Sequence, residues 1–183
     1  MTTALLIIDM QMGMEHRRVA GRPRANLHAE DHVASLLRMF RARSLPVVHV
    51  HHDDPDAASD FHPGMAGHAP LPCAVPLAGE AVFHKSGSSA FAGTGVDAYL
   101  RGNGIGRIVV VGAVAAFCVT STVRAASDLG FKVILPGDAL IGFDIPAHDA
   151  GLIDADTVLR VTLSLLGADF AHLVTADQVA ALL

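Results

Sequence analysis

Three residues with reactive side chains stand at or just beyond the ends of short aliphatic runs. Asp9 follows Leu5-Leu6-Ile7-Ile8, Lys85 follows Val82-Phe83-His84, and Cys118 follows Ile108-Val109-Val110-Val111 after a short Gly112 to Phe117 connection. A thiolate is a strong nucleophile, and a helix start at Cys118 and a nearby ammonium both favour the anion. A carboxylate at Asp9 is placed to take the thiol proton and return it to a leaving amine. Backbone N–H groups in the turn before Cys118 would face a tetrahedral oxyanion. Taken singly, each residue has an ordinary explanation: a packed thiol, a turn-forming aspartate, a solvated lysine. Their joint placement is what points to covalent catalysis.

That placement depends on the elements around them. The runs Ala4–Ile8, Pro46–His51, Ala81–His84, Arg107–Val111, Lys132–Leu135 and Ala171–Val174 lack two-residue alternation, which predicts strands buried on both faces of a parallel sheet. Helical patterns lie between them. Val33, Leu36, Leu37 and Phe40 make one apolar stripe, with Asn26 as the expected N-cap. Val119, Thr122, Val123 and Ala126 make another, closed by Gly130. Val158, Val161 and Leu165 predict a third helix ending near Gly167, and Thr175 with Gln178 predicts a capping box for a short last helix. The fold class is therefore α/β, a doubly wound three-layer sandwich with right-handed crossovers. In such sheets ligands bind beyond the carboxyl ends of the strands, where Asp9, Lys85 and Cys118 all fall. Residues 52–79 break the rhythm. That segment carries Pro55, Pro63, Pro70, Pro72 and Pro76 without periodicity and is read as a long active-site loop in one domain spanning residues 1–183.

At 183 residues, with 51% hydrophobic and 17% charged side chains, the chain has enough apolar surface for one core. A net charge of −5 without a basic run argues against a nucleic-acid partner. No stretch reads as a membrane span, and the first residues lack the pattern of a secretory signal, so a cytoplasmic location is expected. Cys73 and Cys118 are then expected as free thiols, Cys73 being incidental.

The segments Leu6-Ile7-Ile8-Asp9-Met10-Gln11, Lys85-Ser86-Gly87-Ser88-Ser89-Ala90-Phe91 and Gly112 through Cys118 to Ala126 resemble the signature segments of isochorismatase-like hydrolases. Gly130-Phe131-Lys132-Val133, Gly137-Asp138-Ala139 and Phe170 to Thr175 extend the resemblance along the chain. It implies a six-stranded parallel sheet and hydrolysis of a small amide, ureide or similar C–N bond. By position, Cys118 attacks, Asp9 is general base and acid, and Lys85 stabilises charge. The resemblance also implies a non-proline cis peptide at Ala113-Val114, an oxyanion hole from the N–H groups of Val114 and Cys118, and a homo-oligomer, dimer or tetramer. Ala115 and Ala116 depart from the more polar residues that family members often carry there. Isochorismatases proper, which cleave a vinyl ether, lack the nucleophilic cysteine, so Cys118 favours the amidase branch. The alternatives are ether hydrolysis of that type and a non-catalytic binding protein of the same fold.

Asp60, His62 and His68 reproduce the Asp-x-His-x5-His spacing with which nicotinamidases, similar proteins, hold a metal. Their motif directly follows the second strand, whereas here His52 to Ser59 intervene, so no metal and no other cofactor is expected. The substrate is a small molecule, and Gln11, Met14, His52, Phe91 and Phe117 are the expected pocket lining. His49 and His51 are expected to be structural.

Overall fold

The computed structural model describes residues 2–183. In chain order the elements are β1 (Thr2–Ile8), α1 (Met12–Val19), β2 (Arg24–Ala25), α2 (Ala29–Ala42), β3 (Val47–His52), β4 (Ala81–Lys85), α3 (Val96–Gly102), β5 (Ile105–Ala113), α4 (Thr120–Asp128), β6 (Lys132–Pro136), β7 (Leu140–Phe143), β8 (Ile145–Pro146), β9 (Leu152–Ile153), α5 (Ala155–Asp169) and β10 (His172–Val174). Six strands pair in parallel in the order β10-β6-β5-β1-β3-β4. Two short strands extend the expected sheet: β7 pairs parallel with the end of β5, and β2 pairs antiparallel with β7. β8 and β9 form a separate small hairpin.

β1 is buried along nearly its whole length because both sheet faces are covered. Leu5 and Ile7 pack with Val33, Leu36, Leu37 and Phe40 of α2 on one side. Leu6 and Ile8 pack with Val96 and Leu100 of α3, Val123 and Ala126 of α4, and Leu159 and Leu166 of α5 on the other. At the centre Ile8 pairs with Gly112. A Cβ on Gly112 would lie 2.1 Å from the Ile8 carbonyl oxygen, and its φ is +115°, so this crossing requires glycine.

Several local expectations hold. The α2 stripe is buried, Gly130 takes φ +86° beyond α4, and the Thr175/Gln178 capping box opens a 3-10 turn over Ala176–Leu182. Others are corrected. Asn26 is not the N-cap of α2: the helix starts at Ala29, and the Asn26 amide donates instead to the carbonyls of Gly137 and Leu140 at 2.7 and 2.9 Å. The buried face of α5 is Val158, Leu159, Thr162 and Leu166, while Val161 and Leu165 are about half exposed. That helix is apolar on more than one face, so periodicity alone does not select the inward one. Its N-cap is Asp154, whose carboxylate accepts from the Thr157 N–H at 2.8 Å. The helix α1 has no apolar stripe long enough to announce it.

The loop after β3 is tied down along its length. Its Ala69 carbonyl accepts from the Met12 N–H at 2.7 Å, and its Leu71 N–H donates to the Met10 carbonyl at 2.8 Å. Phe61, Leu71 and Ala74 are buried beside Met10 and Met14. Among the described residues, no helix is long and apolar enough to cross a membrane.

Candidate active site

Asp9 is the first residue past β1 and takes φ +50°, turning its carboxylate from the strand direction. Its N–H donates to the Val50 carbonyl of the neighbouring β3 at 2.9 Å, and its carbonyl accepts from Gln11 at 2.8 Å. Lys85 is the last residue of the edge strand β4, opposite His52. Cys118 lies in a single π-helical turn, Ala115–Val119, between β5 and α4. The Ala113-Val114 peptide preceding that turn is cis, and the Thr120 hydroxyl donates to the Ala115 carbonyl at 2.8 Å.

These three chain segments converge on one ammonium. Lys85 Nζ donates to Asp9 Oδ2 at 2.8 Å, to the Gly87 carbonyl at 3.2 Å and to Cys118 Sγ at 3.3 Å. His52 Nδ1 lies 3.5 Å from the same Nζ. The Asp9 and Lys85 side chains are almost wholly buried. Asp9 Oδ1 is buried without a hydrogen-bond partner among the described residues. One carboxylate oxygen is thus held by the lysine while the other is free to accept a proton.

The thiol does not rest as the anion that its place near a helix start suggests. Burial, reinforced by the negative charge of Asp9, pushes Cys118 up to about 11, and the Lys85 ammonium only partly opposes this. The π turn also delays the helix, so Thr120 and not Cys118 begins α4. Burial likewise raises the Asp9 carboxyl, against the attraction of Lys85. Burial therefore favours the uncharged form of both thiol and carboxyl. Burial and the Lys85 charge lower the His52 pKa, leaving its ring neutral at pH 7.

The cavity in front of the thiol has a volume of about 330 Å³ and is lined by Asp9, Met14, Arg17, Arg22, His52, Asp54, Phe61, Val114, Phe117, Cys118 and Phe143. Met14, His52 and Phe117 are where the sequence places them. Gln11 and Phe91 are not in the lining. The Gln11 amide is buried, donates to the His52 and His68 carbonyls at 3.0 Å each, and accepts from the His52 N–H. It fastens the loop to β3. Phe91 stacks on Phe131, with ring centroids 5.7 Å apart, in the layer on the other side.

The residues the sequence does not reveal are Arg17, Arg22, Asp54, Phe61 and Phe143. Arg17 is three residues beyond Met14 and shares its face once Met12–Val19 is helical, so recognising α1 would have exposed it. Its guanidinium lies 5.0 Å from the Phe61 ring centre and 5.9 Å from that of Phe143, and no carboxylate pairs with it among the described residues. Burial, then the adjacent Arg22, lowers its pKa, yet a guanidinium remains charged at any physiological pH. Arg22 is already engaged by Asp144, through Oδ1 at 3.1 Å and the carbonyl at 2.9 Å.

Asp60, His62 and His68 do not converge. Asp60 bonds to His16 Nδ1 at 2.7 Å and to the Gly67 N–H at 3.1 Å. His62 Nδ1 lies 2.9 Å from the Asp54 carbonyl, and His68 Nε2 lies 2.7 Å from Asp53 Oδ1. Because none of Asp60, His62 and His68 lines the cavity at Cys118, exhaustive chelation is expected to leave kcat and KM unchanged. Activity lost on chelation and restored by zinc or iron would overturn that expectation.

A model of the isochorismatase domain matches residues 3–177. The chain belongs to the isochorismatase family of hydrolases. An isochorismatase-family protein from Chromobacterium violaceum has a crystal structure that superposes with a TM-score of 0.93 at 36% identity, covering 98% of this chain and 92% of that one. YrdC, an isochorismatase family protein of Bacillus subtilis, is 30% identical over 175 residues, 96% of this chain and 92% of its own length. A streptothricin hydrolase of Streptomyces noursei is 34% identical over 146 residues, 79% of this chain and 51% of its own length.

Proposed function

We propose that the protein hydrolyses a C–N bond of a small amide or ureide through a covalent thioester on Cys118, and that its substrate carries an anionic group. The contact that carries this reading is the Lys85 ammonium, 2.8 Å from the Asp9 carboxylate and 3.3 Å from the Cys118 thiol. As Sγ bonds to the carbonyl carbon, its proton passes to Asp9, and the carbonyl oxygen becomes an anion facing the N–H groups of Val114 and Cys118. Collapse of this adduct breaks the C–N bond, with Asp9 giving its proton to the leaving nitrogen. Water, deprotonated by Asp9, then attacks the thioester, and the thiol recovers its proton as the acid product leaves. Lys85 holds Asp9 in place and compensates the negative charge shared by carboxylate and sulfur.

The similarity to a streptothricin hydrolase supports amide chemistry, and Cys118 favours it over ether hydrolysis. A panel of small amides and ureides, with ammonia or amine release as readout and acid-quenched intact mass as companion, tests the reading. Turnover with an acyl adduct on the peptide containing Cys118 is expected. Turnover that persists in Cys118→Ala, or product release without an adduct in any quench, would sink it.

The anionic group is inferred from Arg17, a charge above two aromatic rings at the cavity wall that forms no ion pair with a carboxylate among the described residues. Loss of one charge-assisted hydrogen bond removes ~1.5–3 kcal/mol, so Arg17→Met should raise KM for a carboxylate-bearing substrate about 10- to 100-fold. Its effect on a neutral amide should stay within about twofold by the same reasoning. Equal losses on charged and neutral substrates would remove Arg17 from recognition.

A further inference from the structure

The far side of the sheet edge from Lys85 carries side chains that the hydrolytic reaction does not use. β3 and β4 pair His51 with His84 and His52 with Lys85. Successive strand residues point to opposite faces, so Lys85 and His52 lie on the side of Asp9 and Cys118 while His84 and His51 face away from it. On that far side Asp53 Oδ1 lies 2.8 Å from His84 Nδ1 and 2.7 Å from His68 Nε2. One ligand atom from each of the three residues lies within 4.8 Å of the others. The His68 and His84 rings stack at 15° with centroids 6.1 Å apart, and none of the three residues lines the catalytic cavity.

We propose that Asp53, His68 and His84 form a site for a divalent transition ion of the zinc class, separate from the catalytic centre. Two imidazoles and one carboxylate are the donors that zinc, cobalt and nickel prefer, and too few oxygens for calcium or magnesium. The side chains are 49% exposed at His84, 32% at Asp53 and 20% at His68, which leaves a fourth position open to water. The His68 backbone and the His84 ring are both held from behind. The His68 carbonyl accepts from the Gln11 amide at 3.0 Å, and His51 meets His84 edge-on at 5.7 Å. In the metal-free protein the two ring nitrogens satisfy one carboxylate oxygen. On binding, each ring turns the lone pair of one nitrogen to the ion, and a proton carried on that nitrogen is released or moves to the other ring nitrogen. The ion then joins the loop at His68 to the ends of β3 and β4. Its contribution is to hold the loop and not to react.

Chelator-stripped full-length protein is titrated with zinc sulfate by calorimetry, with thermal unfolding and the cobalt(II) absorption spectrum recorded alongside. The expected result is one ion per chain, with a melting temperature about 5–10 °C higher at a hundredfold excess over Kd. Asp53→Ala and His84→Ala, each checked for native circular dichroism, should weaken binding about 10- to 100-fold, and His62→Ala should not. The cobalt spectrum should lack a thiolate charge-transfer band. His84→Gln provides a second variant should the alanine change disturb folding. Absence of binding at micromolar zinc, affinity unchanged in the Asp53 and His84 variants, or a thiolate band that disappears in Cys118→Ala would each overturn the proposal.

Discussion

Cys118→Ala is expected to lower kcat/KM by at least ~10⁴-fold, whereas Cys73→Ala leaves it within about twofold. Both thiols are half-buried, and burial raises both to about 11. Ordinary reactivity therefore does not distinguish them; their neighbours do. Cys118 has the Lys85 ammonium at 3.3 Å and the Asp9 carboxylate close enough for its charge to raise the thiol pKa. Cys73 sits in the 3-10 turn Pro72–Ala74, packed against the apolar layer beneath α2, and among the described residues no ammonium or carboxylate hydrogen-bonds to its sulfur. Steady-state kinetics on the two variants, with circular dichroism to confirm that both are folded, checks the expectation. A Cys118→Ala protein that retains a tenth of the activity would mean that the thiol is not the nucleophile.

Asp9→Asn and Lys85→Met should move the thiol in opposite directions while both depress turnover. The negative charge of Asp9 raises the Cys118 pKa and the positive charge of Lys85 lowers it. In the wild type, alkylation by a neutral reagent should therefore accelerate with pH toward a midpoint about 11. Asp9→Asn removes the carboxylate, lowers that midpoint and speeds alkylation at neutral pH. Lys85→Met raises the midpoint and slows it. Hydrolysis responds differently, because an amide at position 9 takes up no proton from the thiol and gives none to the leaving nitrogen. General acid–base contributions of ~10²–10⁴-fold set the minimum loss for Asp9→Asn, despite its more reactive thiol. Alkylation rate against pH, set beside turnover for each variant, separates the two effects. Should Asp9→Asn slow alkylation as much as hydrolysis, Asp9 holds the site together and the proton-transfer role is wrong.

The six main strands along the chain and the positions of Asp9, Lys85 and Cys118 were readable because both rest on short-range signals. Unbroken aliphatic runs such as Leu5–Ile8 mark strands covered on both faces, and chemistry in open parallel sheets falls at their carboxyl ends. Gly130 and the Thr175/Gln178 pair were readable for the same reason, since caps are settled within one turn of chain. The direction of the Cys118 pKa shift was not. Whether burial and Asp9 outweigh Lys85 depends on how far water is excluded and on distances between residues remote in sequence, which no spacing encodes. Nor did the chain disclose that Asn26 reaches Gly137 and Leu140, that Gln11 fastens a loop, or that α5 turns Val161 and Leu165 outward. Each is settled by contacts with segments distant in the chain. The sequence by itself determined the six parallel strands and that Asp9, Lys85 and Cys118 stand at or beyond their carboxyl ends. Tertiary structure alone decided which charge prevails at the thiol, that Arg17 lines the cavity, and that Asp53, His68 and His84 meet, because burial, charge and ligand geometry come into being only when distant segments pack.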